Sequence, residues 1–136
     1  MGDITDSQSE IEFLANKSAQ GKLVIVTANY TTNGTGTIVS YTPASGQTFV
    51  LYSATFENVS SVASGSPLIR LRNNGTSRFL AFTNVGTSSP AIVSTSPVKG
   101  DQLIGDGVKI YDWYLDLNGG TFTLVQVLAT IVGYLL

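Results

Sequence analysis

PLIRLRNNGTSRFLAFT, residues 67–83, decides the fold. In its first half Arg70 and Arg72 share one side with Leu68, while Ile69 and Leu71 share the other. That period of two is the mark of a half-buried strand, and the Ile69/Leu71 side is the one to bury. Asn73-Asn74-Gly75 follows, residue types that tolerate the positive φ of a tight hairpin turn. SRFLAFT (77–83) then runs back as the second strand.

The same grammar extends outward in both directions. Upstream, TFVLYSATFEN (48–58) is a long strand, with Phe49, Leu51, Ser53 and Thr55 on one face and Val50, Tyr52, Ala54 and Phe56 on the other. Before it come Thr37–Thr42 and the near-continuous apolar run KLVIVTAN (22–29), suited to a strand buried on both faces. TTNGTG (31–36) and Pro43–Gly46 are the turns between them, and 60–66 reads as loop. Downstream, Ala91–Thr95 and VKIYDWYLDL (108–117) are strands, the latter with Tyr111, Trp113, Leu115 and Leu117 together on a core face. Asn118-Gly119-Gly120 turns the chain into a last strand from Thr121 to Tyr134. About eight strands with turn signals between them, and no βαβ alternation, predict an all-β protein. The expected fold is a single antiparallel β-sandwich, an eight-stranded jelly roll.

Residues 6–18 are the one predicted helix. Asp6 or Ser7 can cap it, Glu10 completes a capping box with Ser7, and Gly21 can end it. Ile11, Leu14, Ala15 and Ser18 fall on one side. The domain reading is therefore an N-terminal arm over 1–20 and a sandwich over 21–136.

Composition narrows the function. The 136 residues include no His and no Cys, and only 12% are charged. Ser-His, Cys-His and histidine-metal chemistry are excluded, as are disulfides and thiolate metal sites. Only carboxylates remain for acid–base work. Glu57, Asp101, Asp106, Asp112 and Asp116 are the candidates, but nothing in their spacing places two of them across a cleft. No enzyme activity, cofactor or metal is expected. Asp101–Gly107 offers oxygen atoms to a cation without the spacing of an EF-hand. Net charge is −2, and only Arg70, Arg72 and Arg78 cluster, so no nucleic-acid partner is expected. A surface this poor in charge has little self-repulsion and permits close packing with other copies.

The opening MGDITDSQSE is acidic and polar, so no signal peptide is expected, and Asp6 argues against myristoylation. The C-terminal run 122–136 is interrupted by Thr123, Gln126, Thr130 and Gly133 and is too short for a spanning helix, so no membrane partner is expected. Asn16, Asn29, Asn33, Asn58 and Asn74 each begin an N-x-Ser/Thr triplet, which reads as a by-product of Asn- and Thr-rich turns.

The last strand is apolar on both sides. Phe122, Leu124, Leu128 and Val132 form one, and Val125, Val127, Ala129 and Ile131 the other. A sheet with one wet face alternates apolar and polar, so the second face calls for a cover, either the arm or another subunit. The expected assembly contacts are Ile11, Phe13 and Leu14 on the arm and Val125, Val127, Ile131 and Tyr134 on the last strand. Tyr41 and Tyr114 are the alternative, exposed rings on which a sugar could stack.

KGDQLIGDGVKI (99–110), the strand after it, the Gly-Gly turn and a final strand ending GYLL (133–136) resemble small jelly-roll proteins of tailed phages and related viruses. Capsid cement or decoration proteins and fibre or spike head domains are of this type. The terminal GYLL is also similar to the closing strand of trimeric tumour-necrosis-factor-like jelly rolls. The resemblance implies a homotrimer on the virion surface, made in the host cytoplasm. Its partner is the major capsid protein or another virion protein. For a fibre or spike head the implied partner is a cell-surface glycan. No catalytic residue is carried over.

Overall fold

Alternating runs closed by tight turns become antiparallel strands, and the computed structural model arranges them in two facing sheets. It describes residues 6–31, 35–59, 61–64, 68–82, 91–95, 98–124 and 126–136. The elements are α1 (Asp6–Ala19), β1 (Leu23–Thr31), β2 (Gly36–Tyr41), β3 (Thr48–Val59), β4 (Ser61–Ser64), β5 (Leu68–Asn73), β6 (Thr76–Phe82), β7 (Ala91–Thr95), β8 (Gln102–Ile104), β9 (Tyr111–Asp116), β10 (Thr121–Leu124) and β11 (Gln126–Leu135). One sheet runs β1-β11-β3-β7, with β8 pairing β3 beside β7, and the other runs β2-β9-β5-β6. β10 and β4 form a separate pair. With β7 and β8 counted as successive partners along one edge of β3, each sheet draws strands from both halves of the chain, and the first and last strands are neighbours. That order is a jelly roll.

The hairpin expected at Asn73-Asn74-Gly75 is present. Asn73 pairs with Thr76, and Asn74 (φ 48°) and Gly75 (φ 84°) make the two-residue loop. Positive φ at both positions defines a type I′ turn, whose twist matches the strands it joins. Ile69 and Leu71 point inward and are buried.

Trp113 is the centre of the core. It is fully buried, stands edge-on to Phe56 of the opposite sheet at 5.1 Å, and meets Phe79 at 6.2 Å. Its indole N–H donates to the Thr130 carbonyl at 3.2 Å, which satisfies the one polar atom the ring brings inside. Tyr111 and Phe49 make a second contact between the sheets at 5.5 Å. An aromatic pair of this kind adds about 0.5–1.5 kcal/mol beyond the area it buries.

Four expectations change. The strand predicted from Thr121 to Tyr134 is divided, because β10 leaves the main sheet to pair with β4. β4 itself lies in the stretch read as loop. β3 does not keep one phase: a bulge opposite Val132/Gly133 puts Tyr52 and Ser53 on the same side, so Phe49, Leu51, Ala54 and Phe56 all face the core. A bulge inserts one extra residue, and the alternation reverses beyond it. β1 is buried on one face only: Val24 is 8% exposed and Ile25 is 61% exposed.

α1 ends at Gly21, as expected. Lys22 N–H donates to the Lys17 carbonyl and Gly21 N–H to the Ser18 carbonyl, with Gly21 at φ 69°. This Schellman pair satisfies the last carbonyls and turns the chain into β1.

Candidate assembly surface

The two sheets present very different outer faces. On the β2-β9-β5-β6 sheet the antiparallel register sets Arg72 opposite Asp112 and Leu68 opposite Asp116. Asp112 is fully buried, and Arg72 grips both its oxygens, Nε at 3.0 Å and Nη2 at 2.6 Å. The Thr37 hydroxyl donates a third bond at 3.0 Å. The hydrogen bond to Asp112 raises the Arg72 pKa above its ordinary value. The same guanidinium lies 3.8 Å from the Tyr114 ring centroid. Arg70 bonds Asp116 at 3.1 Å and Ser77 at 2.9 Å. This face is a network of mutually satisfied charges, with Leu80 exposed at its β6 side.

Among the described residues the outer face of the β1-β11-β3 sheet carries no such network. Alternation along β11 turns Leu128, Thr130, Val132 and Tyr134 outward, while Ala129 and Ile131 are fully buried inward. Register puts Ile25 beside Val132, Thr27 beside Thr130, and Thr55 on the far side of Thr130. The hydroxyls of Thr27 and Thr130 bond each other at 3.1 Å. Ile25 (61% exposed) and Leu128 (44%) stand open on this strip.

α1 rests on one end of that face. The Phe13 ring meets Tyr134 edge-on at 4.9 Å, and Lys17 Nζ sits 5.6 Å and 5.1 Å from the centroids of those two rings. Glu10 pairs with Lys99 at 3.0 Å, and Lys99 lies over Tyr52 at 4.3 Å. Hydrogen bonds from Lys99 and then Tyr52 hold the Glu10 carboxyl below its ordinary pKa.

The structure thus joins Phe13 and Tyr134, two of the expected contact residues. Leu14 is half-buried and Ile11 is 68% exposed. The docking stripe is Glu10, Phe13 and Lys17, not the expected Ile11, Leu14, Ala15 and Ser18. An aromatic edge contact and two ammonium–ring contacts hold the helix, and an apolar count does not register them. Ile131 is a correction: its side of β11 is the core side, covered by the opposite sheet of the same chain, so it is not open to another subunit. Val125 lies outside the described residues, and so does the Val127 side chain. Sequence alternation does not single out Ile25 and Leu128, because KLVIVTAN reads as a buried strand and β11 is apolar on both sides.

Tyr41 is half-buried against Phe49 at 5.2 Å, and burial raises its pKa. Tyr114 has one ring face taken by Arg72. Asp101 is a structural hub: it accepts from Tyr111 Oη at 2.9 Å, Asn73 at 3.1 Å and Arg78 at 3.1 Å. Burial and then the bond to Asp101 push the Tyr111 pKa far up. Asp106 accepts the N–H groups of Val108 and Lys109 in its own turn, bonds that lower its pKa. Glu57 is exposed. Among the described residues no group of three or more His, Cys, Asp or Glu is placed to hold a metal ion. Among them, too, no helix is long and apolar enough to cross a membrane. Compared with known proteins, the chain matches no family model, no curated protein and no solved structure.

Proposed function

We propose that this jelly roll is a virion structural protein, a capsid cement or decoration protein that self-associates as a trimer and braces major-capsid subunits from outside. The observation that carries the reading is the contrast between the two outer faces. One has its charges paired among themselves, and the other is a strip of threonines and exposed aliphatic side chains with an aromatic-anchored arm at one end. An exposed sheet face of that composition buries well against another copy at little desolvation cost. The reading is a non-enzymatic one: Asp101, Asp112 and Asp116 are each engaged by an arginine, which supports a structural use of these carboxylates. A receptor- or glycan-binding head is the alternative. It draws less support, because Tyr41 packs on the core and Tyr114 under Arg72.

The test is sedimentation velocity on the wild type and on the double variant Ile25→Glu/Leu128→Glu. Wild type is expected to sediment as a trimer and the variant as a folded monomer. Equal sedimentation of the two would set this face aside. For the virion assignment, antibody raised against the protein should label the shell of particles made by cells that express it. Label confined to fibre tips would favour the alternative, and unlabelled particles would contradict both.

A further inference from the structure

We propose that the free edge of β1 docks an extended, uncharged peptide strand of a partner protein, added antiparallel. Among the described residues the two sheets end at β1, β2, β6 and the β7/β8 margin of β3. Three of these edges are guarded. β2 and β6 each carry a register shift against their neighbour, β6 also bears Arg78, and β7 and β8 are only five and three residues long. Bulges, charges and shortness all hinder the addition of a further strand. β1 has none of them: it runs nine residues in unbroken register with β11 and contains no charged residue and no proline.

Register tells which backbone groups are free. Leu135 N–H donates to the Lys22 carbonyl, one step beyond the Leu23–Tyr134 pair. Bonded pairs recur at every second residue of an antiparallel ladder. Val24, Val26 and Ala28 therefore spend their N–H and C=O groups on β11, while Leu23, Ile25, Thr27 and Asn29 aim theirs away from it. Val26 and Ala28 pack against the core yet stay only half-buried, because no strand lies beyond β1 in its sheet. One added strand answers both: its backbone pairs the outward groups, and its inward side chains extend the core beside Val26 and Ala28.

The outer side chains choose the strand. Leu23 and Ile25 are aliphatic, whereas Thr27 and Asn29 are polar. A second copy of β1, paired about a two-fold at Thr27, would set Ile25 of each copy against Asn29 of the other. On its occupied side β1 is matched better, with Ile25 beside Val132 and Thr27 beside Thr130. Matched cross-strand pairs are what stabilise a sheet. The occupant is accordingly polar opposite Thr27 and Asn29 and aliphatic opposite Leu23 and Ile25, with apolar residues between them.

Fluorescence anisotropy of the full chain with a labelled peptide, Thr-Val-Thr-Val-Thr-Val-Ile-Val-Leu, tests this. N-methylation of its fourth, sixth and eighth residues blocks only the amides that face away from β1, and this form should bind saturably. N-methylation of the third, fifth and seventh removes three hydrogen bonds to β1 and should weaken binding at least tenfold. The reversed sequence, methylated at the same three valines, mismatches the outer pairs and should bind about fivefold more weakly. Asn29→Pro removes an outward N–H at a position where an edge strand tolerates proline, and should weaken binding at least tenfold with circular dichroism unchanged. If that variant misfolds, the two methylated peptides decide on the wild type alone. Equal binding of the two methylated forms, no binding by either, or a reversed peptide as tight as the forward one would each overturn the proposal. So would a rise in mass with protein concentration that Asn29→Pro abolishes, since a second copy would then be the occupant.

Discussion

Asp112 is the least forgiving position on the outer side of β9. Its carboxylate is fully buried and is tolerable there only because Arg72 meets it with two parallel hydrogen bonds and Thr37 with a third. Replacing Arg72 with Met keeps the stem and removes the charge. That leaves a buried anion without its cation, a loss of about 3–5 kcal/mol in urea unfolding. A loss below about 1 kcal/mol would mean the carboxylate finds water or another donor. Gly133 is constrained by shape. A methyl group there would run into the Phe49 ring and the Val50 carbonyl, and Phe49 is itself fully buried. Gly133→Ala should therefore destabilise by about 1–3 kcal/mol, the usual cost of overpacking, and a neutral melt would refute that tight fit. The Arg70/Arg72 face and the inward Ile69 and Leu71 were legible from alternation alone. The partner of each arginine was not, because it depends on which strand lies alongside and in what register. Gly133 was invisible for the same reason: its constraint comes from a ring distant in the chain.

α1 and the end of β11 form one element pair whose hold on the sandwich is local and partly ionic. Glu10 has a folded pKa below its free value, so its contribution is present above about pH 4.3, the free value, and is lost as pH falls through the folded one. Lys99 is shifted upward, first by its bond to Glu10, so its contribution persists through neutral pH and is lost only in strong alkali. Amide chemical shifts of α1 should accordingly move toward those of a free helix as pH drops from 7 to 3, ahead of any change in β3 or β9. Shifts that stay fixed to pH 3 would mean Phe13 and Lys17 alone retain the helix. No described side chain of α1 belongs to the buried core cluster. Deleting residues 1–20 should leave a cooperatively folding sandwich with weakened self-association, and outright unfolding would place the arm within the folding unit. The helix and its end at Gly21 were legible. Its docking side was not, since aromatic edges and ammonium–ring contacts have no periodic signature. The bulge in β3 likewise escaped, because an extra residue in a strand shows only against its neighbour.

For the whole molecule, the jelly-roll order makes the first and last strands neighbours in one sheet and so places Ile25 next to Val132. A strip built from residues far apart in the chain could not be assembled by scanning windows of sequence. The sandwich class was legible because most of its long strands are bounded by their own turn chemistry, whereas β4, β8 and the break between β10 and β11 carry no such signal. Which apolar side of the last strand is wet was decided only by the opposite sheet, whose Trp113 reaches the Thr130 carbonyl. The proposed self-association requires that the outward strip of β1 and β11 be covered by other copies of the chain. Light scattering on the size-exclusion peak measures this most directly. A mass three times the 14.3 kDa of the chain is expected. A monodisperse peak at the mass of a single chain, unchanged as concentration rises, would contradict it.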